Sequence, residues 1–223
     1  MLQIPIAREL LAKAKYTTDE EFTHTNYTAV TTQPEDFPKK YSLRQRRMGR
    51  KTKIALVITM YNESDTLFVK TLLAVQKNIA YLCSESCPYG WGADGWREFV
   101  VVIVSDGIAK INYRICCLIL GVKTILGVMG IWVSDEFTRT SVNEHPVVAH
   151  LFELTTQVAG TLILSIVDRN FDIRHRDENI VPTQIIFILK QKNAKKINSH
   201  KWFFQAVCQI INPEVVMLLV LSF

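Results

Sequence analysis

The sequence lacks an uninterrupted apolar segment long enough to cross a membrane. Its longest apolar tract, residues 115–133, carries Lys123 near the middle and is divided by Gly121, Gly127 and Gly130. A charged side chain at the centre of a bilayer is unfavourable by about 3 kcal/mol or more. We predict no secretory signal either, because Gln3, Arg8 and Glu9 interrupt any apolar run at the start of the sequence. We therefore predict no transmembrane span in this chain.

The sequence also lacks the cysteine and histidine spacing of a zinc site. Its five cysteines are Cys83, Cys87, Cys116, Cys117 and Cys208. Cys83 and Cys87 lie close together, but a second pair at zinc spacing and a flanking histidine are missing. We predict reduced thiols that face the cytosol and are mostly buried.

Charge of one sign is only in small excess. The 223 residues have a formal net charge of +5, with 48% hydrophobic and 21% charged residues. This composition is typical of a folded chain and excludes a disordered one. The length suits one medium domain plus an appendage. Because the net charge is mild, partners must be inferred from where the charges lie.

One stretch, the basic block of residues 39–53, holds eight cations and no acid. The cations are Lys39, Lys40, Arg44, Arg46, Arg47, Arg50, Lys51 and Lys53. The block fits a solvated linker or lid, and it also fits a contact with nucleic acid, anionic lipid or a phosphate-bearing ligand. Nucleic acid is not expected as a partner, because the cations lack the aromatic interleaving that stacks on bases.

A buried strand that ends in a polar cluster is the main feature of the sequence. Residues 54–59 are nearly all aliphatic and four of the six are β-branched, which predicts a strand buried on both faces of a sheet. Thr59, Tyr61, Asn62 and Glu63 follow at its carboxyl end, where open α/β sheets bind ligands. Tyr61 can lie against a flat ring, and Glu63 can hydrogen-bond sugar hydroxyls. An ordinary polar turn is the alternative interpretation.

A second aliphatic run, residues 99–104, ends in Ser105, Asp106 and Gly107. Asp106 can accept hydrogen bonds from ribose hydroxyls, and Gly107 gives room for a close approach by the ligand. An Asp-Gly turn without a ligand is the alternative. Two neighbouring strands that end in polar clusters would face the same crevice, which favours the binding interpretation.

Two further strands are predicted over residues 182–189 and 215–221. The first of them leads into a lysine-rich stretch. Its cations are Lys190, Lys192, Lys195, Lys196 and Lys201. With a helix predicted over residues 199–208, these lysines fit an anion cradle, whereas their composition alone favours a solvated lysine loop.

The remaining segments are predicted from periodicity and polarity. Residues 64–82 carry apolar side chains at helical spacing and predict an amphipathic helix. Residues 108–120 predict another helix, and residues 168–179 a surface loop. Residues 146–157 alternate well enough for a strand, with a helix as the alternative. Residues 1–40 are polar and turn-rich, which predicts mostly extended, irregular backbone.

Several longer motifs together carry a resemblance to a known family. They are Glu21-Phe-Thr-His-Thr-Asn-Tyr-Thr-Ala, Tyr41-Ser-Leu-Arg-Gln, Thr59-Met-Tyr-Asn-Glu, Trp91-Gly-Ala-Asp-Gly-Trp, Val104-Ser-Asp-Gly, Lys110-Ile-Asn, Ala149-His-Leu-Phe-Glu-Leu-Thr-Thr-Gln and Lys190-Gln-Lys-Asn-Ala-Lys-Lys-Ile-Asn-Ser-His-Lys-Trp-Phe-Phe. In these motifs the chain resembles fungal chitin synthases, in the first part of their cytosolic catalytic region. That family joins N-acetylglucosamine from UDP-N-acetylglucosamine into β-1,4-linked chitin at the cytoplasmic face of the plasma membrane.

The resemblance implies a fold and a set of site residues. It implies an α/β fold: an incomplete Rossmann-like nucleotide-sugar domain over residues 51–223, after a mostly irregular N-terminal extension and basic linker over residues 1–50. Thr59, Tyr61 and Glu63 would line the uridine pocket, and Asp106 would lie beside the nucleoside. Either Lys192 or Lys196 would approach the diphosphate.

The chain departs from the family pattern at its last strand. Val220 stands where the family has the aspartate that begins its metal-binding motif, and Mg²⁺ or Mn²⁺ requires carboxylate oxygens. The family's acceptor-activating base, acceptor motif and membrane spans also have no counterpart in these residues. We therefore expect a truncated, inactive fragment that binds UDP or UDP-N-acetylglucosamine. A non-catalytic relative that regulates or scaffolds full-length chitin synthase is the alternative, and an unpaired sheet edge is expected in either case.

Overall fold

A mixed seven-stranded sheet organises the fold. The computed structural model describes residues 1–6, 11, 14–61, 65–107, 139–157 and 181–220. The strands of the sheet are β1 (Leu2–Pro5), β2 (His24–Val30), β3 (Ile54–Met60), β4 (Phe99–Ser105), β7 (Ala149–Thr156), β8 (Thr183–Lys190) and β9 (Val215–Val220), and a separate hairpin is formed by β5 (Ser141–Val142) and β6 (His145–Pro146). The order across the sheet is β1-β2-β7-β8-β4-β3-β9.

Parallel pairing is confined to one half of the sheet. Strands β8, β4, β3 and β9 are parallel neighbours, whereas β1, β2, β7 and β8 pair antiparallel. The four strands predicted from continuous apolar runs are confirmed, and residues 149–156 form a strand rather than a helix. The predicted helix at residues 108–120 and the predicted loop at residues 168–179 lie outside the described residues.

Helices lie on both faces of the sheet. They are α1 (Glu20–Thr23), α2 (Phe37–Lys40), α3 (Arg44–Arg47), α4 (Asp65–Cys83), α5 (Lys195–Lys201) and α6 (Cys208–Ile211), and a π-helical stretch (Trp202–Val207) joins α5 to α6. The amphipathic helix predicted over residues 64–82 is confirmed as α4. The helix predicted over residues 199–208 begins at Lys195 instead of Ser199. Lys195, Lys196 and Lys201 therefore belong to this helix, α5.

The core consists of two layers that the sheet separates. Leu56 and Ile58 of β3 pack with α4 on one face, whereas Ala55 and Val57 pack with the α5–α6 segment on the other. Because both faces are covered, β3 and β4 carry continuous aliphatic runs. The α/β prediction is confirmed. Among the described residues, no helix is long and apolar enough to cross a membrane.

The prediction of a mostly irregular N-terminal extension is wrong. Strand β2 pairs with β7, with Asn26 opposite Glu153, and β1 continues the sheet beyond β2. The sequence gives little sign of this, because β2 is rich in threonine and its partner strand lies more than a hundred residues later. The N-terminal segment is therefore part of the same sheet as β3 and β4.

The basic block is also more ordered than a solvated linker. Arg50 donates to both carboxylate oxygens of Glu21 at 2.6 Å and to Gln184 Oε1 at 2.7 Å. Thr155 Oγ1 donates to Glu21 as well, at 2.8 Å. Burial raises the pKa of Glu21, but the hydrogen bonds from Arg50 and Thr155 and the nearby positive charges bring this pKa below its ordinary value. The linker or lid interpretation is wrong for Arg50.

Buried and partly buried contacts also hold Arg44 and Arg47 of the basic block. The Arg44 backbone N–H donates to Glu153 Oε1, and Arg47 Nη2 lies 3.0 Å from Glu153 Oε2. The buried Arg44 guanidinium donates to the backbone carbonyls of Glu21 and His24, each at 3.2 Å. Lys39, Lys40, Arg46 and Lys51 are exposed, as a solvated stretch would be. The block is misread from sequence because the counter-ions of Arg50 and Arg47 are supplied by α1 and β7.

Strand β9 forms an exposed edge. Within the described residues it pairs only with β3. Val215, Val216, Met217 and Leu218 are between 39% and 52% exposed, so apolar side chains on both faces of this strand contact solvent. The predicted unpaired sheet edge is confirmed in the described part of the chain.

The described cysteines are free and mostly buried, as predicted. Cys83, Cys87 and Cys208 are free, and the first two are buried. Cys208 is half-buried, and burial raises the pKa of its thiol to about 12. Cys116 and Cys117 lie outside the described residues.

Candidate functional site

The carboxyl ends of three parallel strands meet at one edge of the sheet. In the register of the sheet Met60 lies beside Ser105, and Ser105 lies beside Leu189. The Asp106 backbone N–H donates to Met60 O at 2.9 Å, which extends the pairing of β3 and β4 by one residue. The polar clusters that follow β3, β4 and β8 therefore share one edge, as the sequence predicts.

Asp106 is turned into the protein at this edge. It is 5% exposed, and its Oδ1 lies 2.7 Å from Lys190 Nζ. The same oxygen accepts from the Ala194 backbone N–H at 3.0 Å. One oxygen of the Asp106 carboxylate is thus occupied by groups from β8 and from the segment that follows it.

Gly107 provides room for the chain and not for a ligand. Its φ is +97°, and a Cβ built there would lie 2.9 Å from the Asn193 backbone nitrogen. Because β-carbons do not approach a backbone atom so closely, only glycine fits against Asn193. The predicted reason for Gly107 is therefore corrected, since the close approach is made by the segment after β8.

The segment of residues 191–198, which we call the lysine segment, runs along the same edge. Lys192, Lys195 and Lys196 are exposed. Lys195 has a left-handed φ of +67°, and its backbone N–H donates to Asn193 Oδ1 at 3.0 Å. Exposed ammonium groups beside the strand ends suit an anionic ligand.

The predicted residues of β3 lie at the same edge. Thr59 is half-buried in β3, between Val104 of β4 and Val220 of β9 in the register. Tyr61 follows the strand directly and is 42% exposed. Glu63 lies outside the described residues. The structure thus brings Thr59, Tyr61, Asp106 and the lysine segment to one edge of the sheet.

Sequence reasoning missed the separate role of Lys190. It grouped Lys190 with the exposed lysines, but Lys190 is 2% exposed and pairs with Asp106. Burial lowers the pKa of Lys190, and the neighbouring Asp106 offsets part of that effect. A signal was available, because Ile186 and Ile188 face the α5–α6 layer and side chains in a strand repeat every second residue. Lys190 continues that inward row.

A buried histidine supports the start of the lysine segment. His150 is 2% exposed, and its Nε2 lies 2.9 Å from Gln191 Oε1 while its Nδ1 lies 2.9 Å from the Tyr27 hydroxyl. The Arg139 backbone N–H donates to the same hydroxyl at 3.2 Å. Burial lowers the pKa of His150, which favours the neutral ring. A neutral ring with Nε2–H donates to Gln191 and accepts from Tyr27.

The described residues do not fit a divalent metal ion. Val220 ends β9 beside Thr59, and a valine side chain offers no oxygen ligand. The Asp106 carboxylate is already engaged by the Lys190 ammonium. In the ranges that the structure describes, no three side chains of His, Cys, Asp or Glu are grouped to hold a metal.

Comparison with known proteins matches nearly the whole chain to one family. Residues 54–221 match the chitin synthase-like glycosyltransferase domain, and residues 1–53 match the chitin synthase N-terminal region. Chitin synthase 2 of Rhizopus oligosporus is 42% identical over 98% of this chain and 24% of its own length. Chitin synthase C of Aspergillus oryzae and chitin synthase 3 of Pyricularia oryzae are 40% and 39% identical, each over 98% of this chain and 23% of their own length. The chain spans about a quarter of the length of these curated relatives.

Proposed function

Because this chain belongs to the chitin synthase family of glycosyltransferases, we propose that it forms the nucleotide-binding part of a UDP-N-acetylglucosamine transferase. The observation that carries the proposal is the shared edge at which β3, β4 and β8 end in hydroxyl, carboxylate and ammonium groups. Ligands of open α/β sheets bind outside the carboxyl ends of parallel strands. In this proposal the parallel half of the sheet is an incomplete Rossmann-like domain.

Each predicted site residue has a chemical role in this proposal. Tyr61 stacks on the uracil ring, while Thr59 and Glu63 hydrogen-bond the nucleoside. Asp106 lies beside the ribose, with one oxygen held by Lys190. Lys192 or Lys196 neutralises the diphosphate. In the transfer, the acceptor hydroxyl gives its proton to the family's acceptor-activating base, and its oxygen bonds to the anomeric carbon as the bond from that carbon to UDP breaks. Negative charge then grows on the diphosphate, and nearby cations stabilise it.

Isothermal titration calorimetry with UDP tests the pocket. We expect the unmodified chain to bind UDP, and we expect Glu63→Ala and Asp106→Ala each to weaken binding about 10-fold, the equivalent of about 1.4 kcal/mol. Glu85→Ala is the matched control, because Glu85 is exposed in the turn after α4. Affinities that stay the same in both site variants would reject the proposed pocket.

We also propose that these 223 residues alone bind nucleotide without forming chitin and without a metal ion. Support comes from Val220 at the position of the family's aspartate and from the Lys190 ammonium that engages Asp106. The affinity for UDP should then be the same in EDTA and in millimolar Mg²⁺ or Mn²⁺. Robust chitin formation by the purified chain, or metal-dependent UDP binding, would overturn this part of the proposal.

A second proposed function is regulation or scaffolding of a full-length chitin synthase. The exposed apolar edge of β9 favours it, because the outer edge of this strand has no partner among the described residues and is suited to pairing with another chain. In this proposal the chain lies at the cytoplasmic face of the plasma membrane through its partner. Co-purification of the chain with a complete synthase, lost on Met217→Lys, would support it. A chain that fractionates away from the synthase would count against it.

A further inference from the structure

Lys190 connects three segments of the chain at the proposed nucleotide site. Its Nζ lies 2.7 Å from Asp106 Oδ1 at the end of β4 and donates to Asn198 Oδ1 in α5 at 3.1 Å. A third and longer contact, 3.5 Å, reaches the Lys195 carbonyl. An ammonium group has three protons to donate, so these three acceptors account for all of them.

The lysine segment is attached to β4 by two more contacts. The Ala194 backbone N–H donates to the same Asp106 oxygen, and Asn193 packs against Gly107. Lys190 is only 2% exposed, and its protons are already used inside the protein. It is therefore poorly placed to touch a nucleotide, in contrast to the exposed Lys192 and Lys196.

We infer that Lys190 is a positioning residue, which holds Asp106 and the start of α5 so that Lys192 and Lys196 stay beside the strand ends. This inference rests on the proposed nucleotide-binding function. Its physical basis is that removal of one partner from a buried ion pair leaves the other charge uncompensated, and neighbouring segments then move to solvate that charge. Lys190 acts on the diphosphate through the lysine segment and not by contact.

The test compares UDP with uridine, because uridine lacks the phosphates that the exposed lysines would bind. In Lys190→Met we expect UDP affinity to fall about 10-fold and uridine affinity to fall about 3-fold or less, measured by calorimetry. Lys201→Met is the matched control. Lys201 belongs to the same helix, but it is exposed and pairs with Glu35 at 2.9 Å, so both affinities should stay unchanged.

A second variant covers the case in which Lys190→Met does not fold. Asn198→Ala keeps the Lys190–Asp106 pair and the longer contact to the Lys195 carbonyl, and it removes the hydrogen bond from Lys190 to the Asn198 side chain in α5. It should lower the affinity for UDP more than that for uridine, and amide hydrogen exchange should rise over residues 191–198 while β3 stays protected.

The outcomes separate this inference from the proposed function. If the unmodified chain binds UDP and both variants change UDP and uridine affinity by the same factor, or change neither, the positioning role is overturned and the nucleotide site stands. If the unmodified chain binds neither compound, the proposed function and the positioning role both fall.

Discussion

Replacement of Arg50 by methionine should destabilise the fold strongly. The Arg50 and Glu21 side chains are 14% and 8% exposed, and the guanidinium donates two hydrogen bonds to Glu21 and one to Gln184. Removal of one partner of a buried pair costs about 3–5 kcal/mol. Glu21 keeps its hydrogen bond from Thr155, so we expect the lower end, about 3 kcal/mol at pH 7.

The same carboxylate gives this effect a pH dependence. The pKa of Glu21 in the folded chain lies below its ordinary value, so its contribution to stability is complete above the unfolded pKa of about 4.3. That contribution is lost as the pH falls through the lowered pKa of the folded state. The stability difference between the unmodified chain and Arg50→Met should therefore shrink on acidification below about pH 4.

Urea denaturation followed by circular dichroism measures the free energy of unfolding of each variant. Lys51→Met is the matched control, since Lys51 is adjacent and exposed, and it should change stability by no more than about 0.5 kcal/mol. The double variant Glu21→Gln with Arg50→Met should recover part of the loss, because it leaves no buried charge from this pair. If the free energy of unfolding of Arg50→Met is within about 0.5 kcal/mol of that of the unmodified chain, the buried Arg50–Glu21 pair does not stabilise the fold and the solvated-linker interpretation is correct.

Three further predictions concern the exposed edge of β9, the close packing at Gly107 and the half-buried thiol of Cys208. Met217→Lys at the exposed β9 edge should reduce self-association in light scattering, whereas Gln209→Lys on α6 should not. Gly107→Ala should lower the midpoint of urea unfolding by more than Gly92→Ala, because both have positive φ but only Gly107 is crowded by Asn193; equal shifts would contradict the packing argument. Cys208 should react slowly with iodoacetamide at pH 8 and rapidly in urea, since burial raises its pKa to about 12; fast labelling of the folded chain, read by mass spectrometry, would contradict this.

Most of the parallel half of the sheet was predictable because β3, β4 and β8 are buried on both faces. Residues such as Val57 and Val102 then form continuous apolar runs, a signal that is local in the sequence. The helix α4 was predictable for a similar reason, from its periodicity. The polar residues after β3 and β4 could be placed at one edge once the strands were taken as parallel neighbours.

The antiparallel half of the sheet and the buried position of Lys190 could not be predicted from such local patterns. Strand β2 alternates weakly and gains its stability from β7, and the cations Arg50 and Arg47 find their counter-ions in α1 and β7. Lys190 stands in a run of lysines, which hides its place in the inward-facing row of β8 and its partner Asp106. Such partners are far apart in sequence, so local composition favoured a solvated linker and a solvated loop.

The strand order has a consequence for how the molecule assembles during synthesis. Strand β8 lies between β4 and β7, so the pairs β4–β8 and β7–β8 cannot be completed until residue 190 has been synthesised. Strand β3 gains its second neighbour, β9, only when residue 220 has been synthesised. Until then the emerging chain carries two very apolar strands without their flanking partners. Non-local pairing of this kind slows folding and leaves apolar surface exposed, where other molecules can bind to it. We expect a nascent polypeptide of this sequence to depend on chaperones for most of its translation.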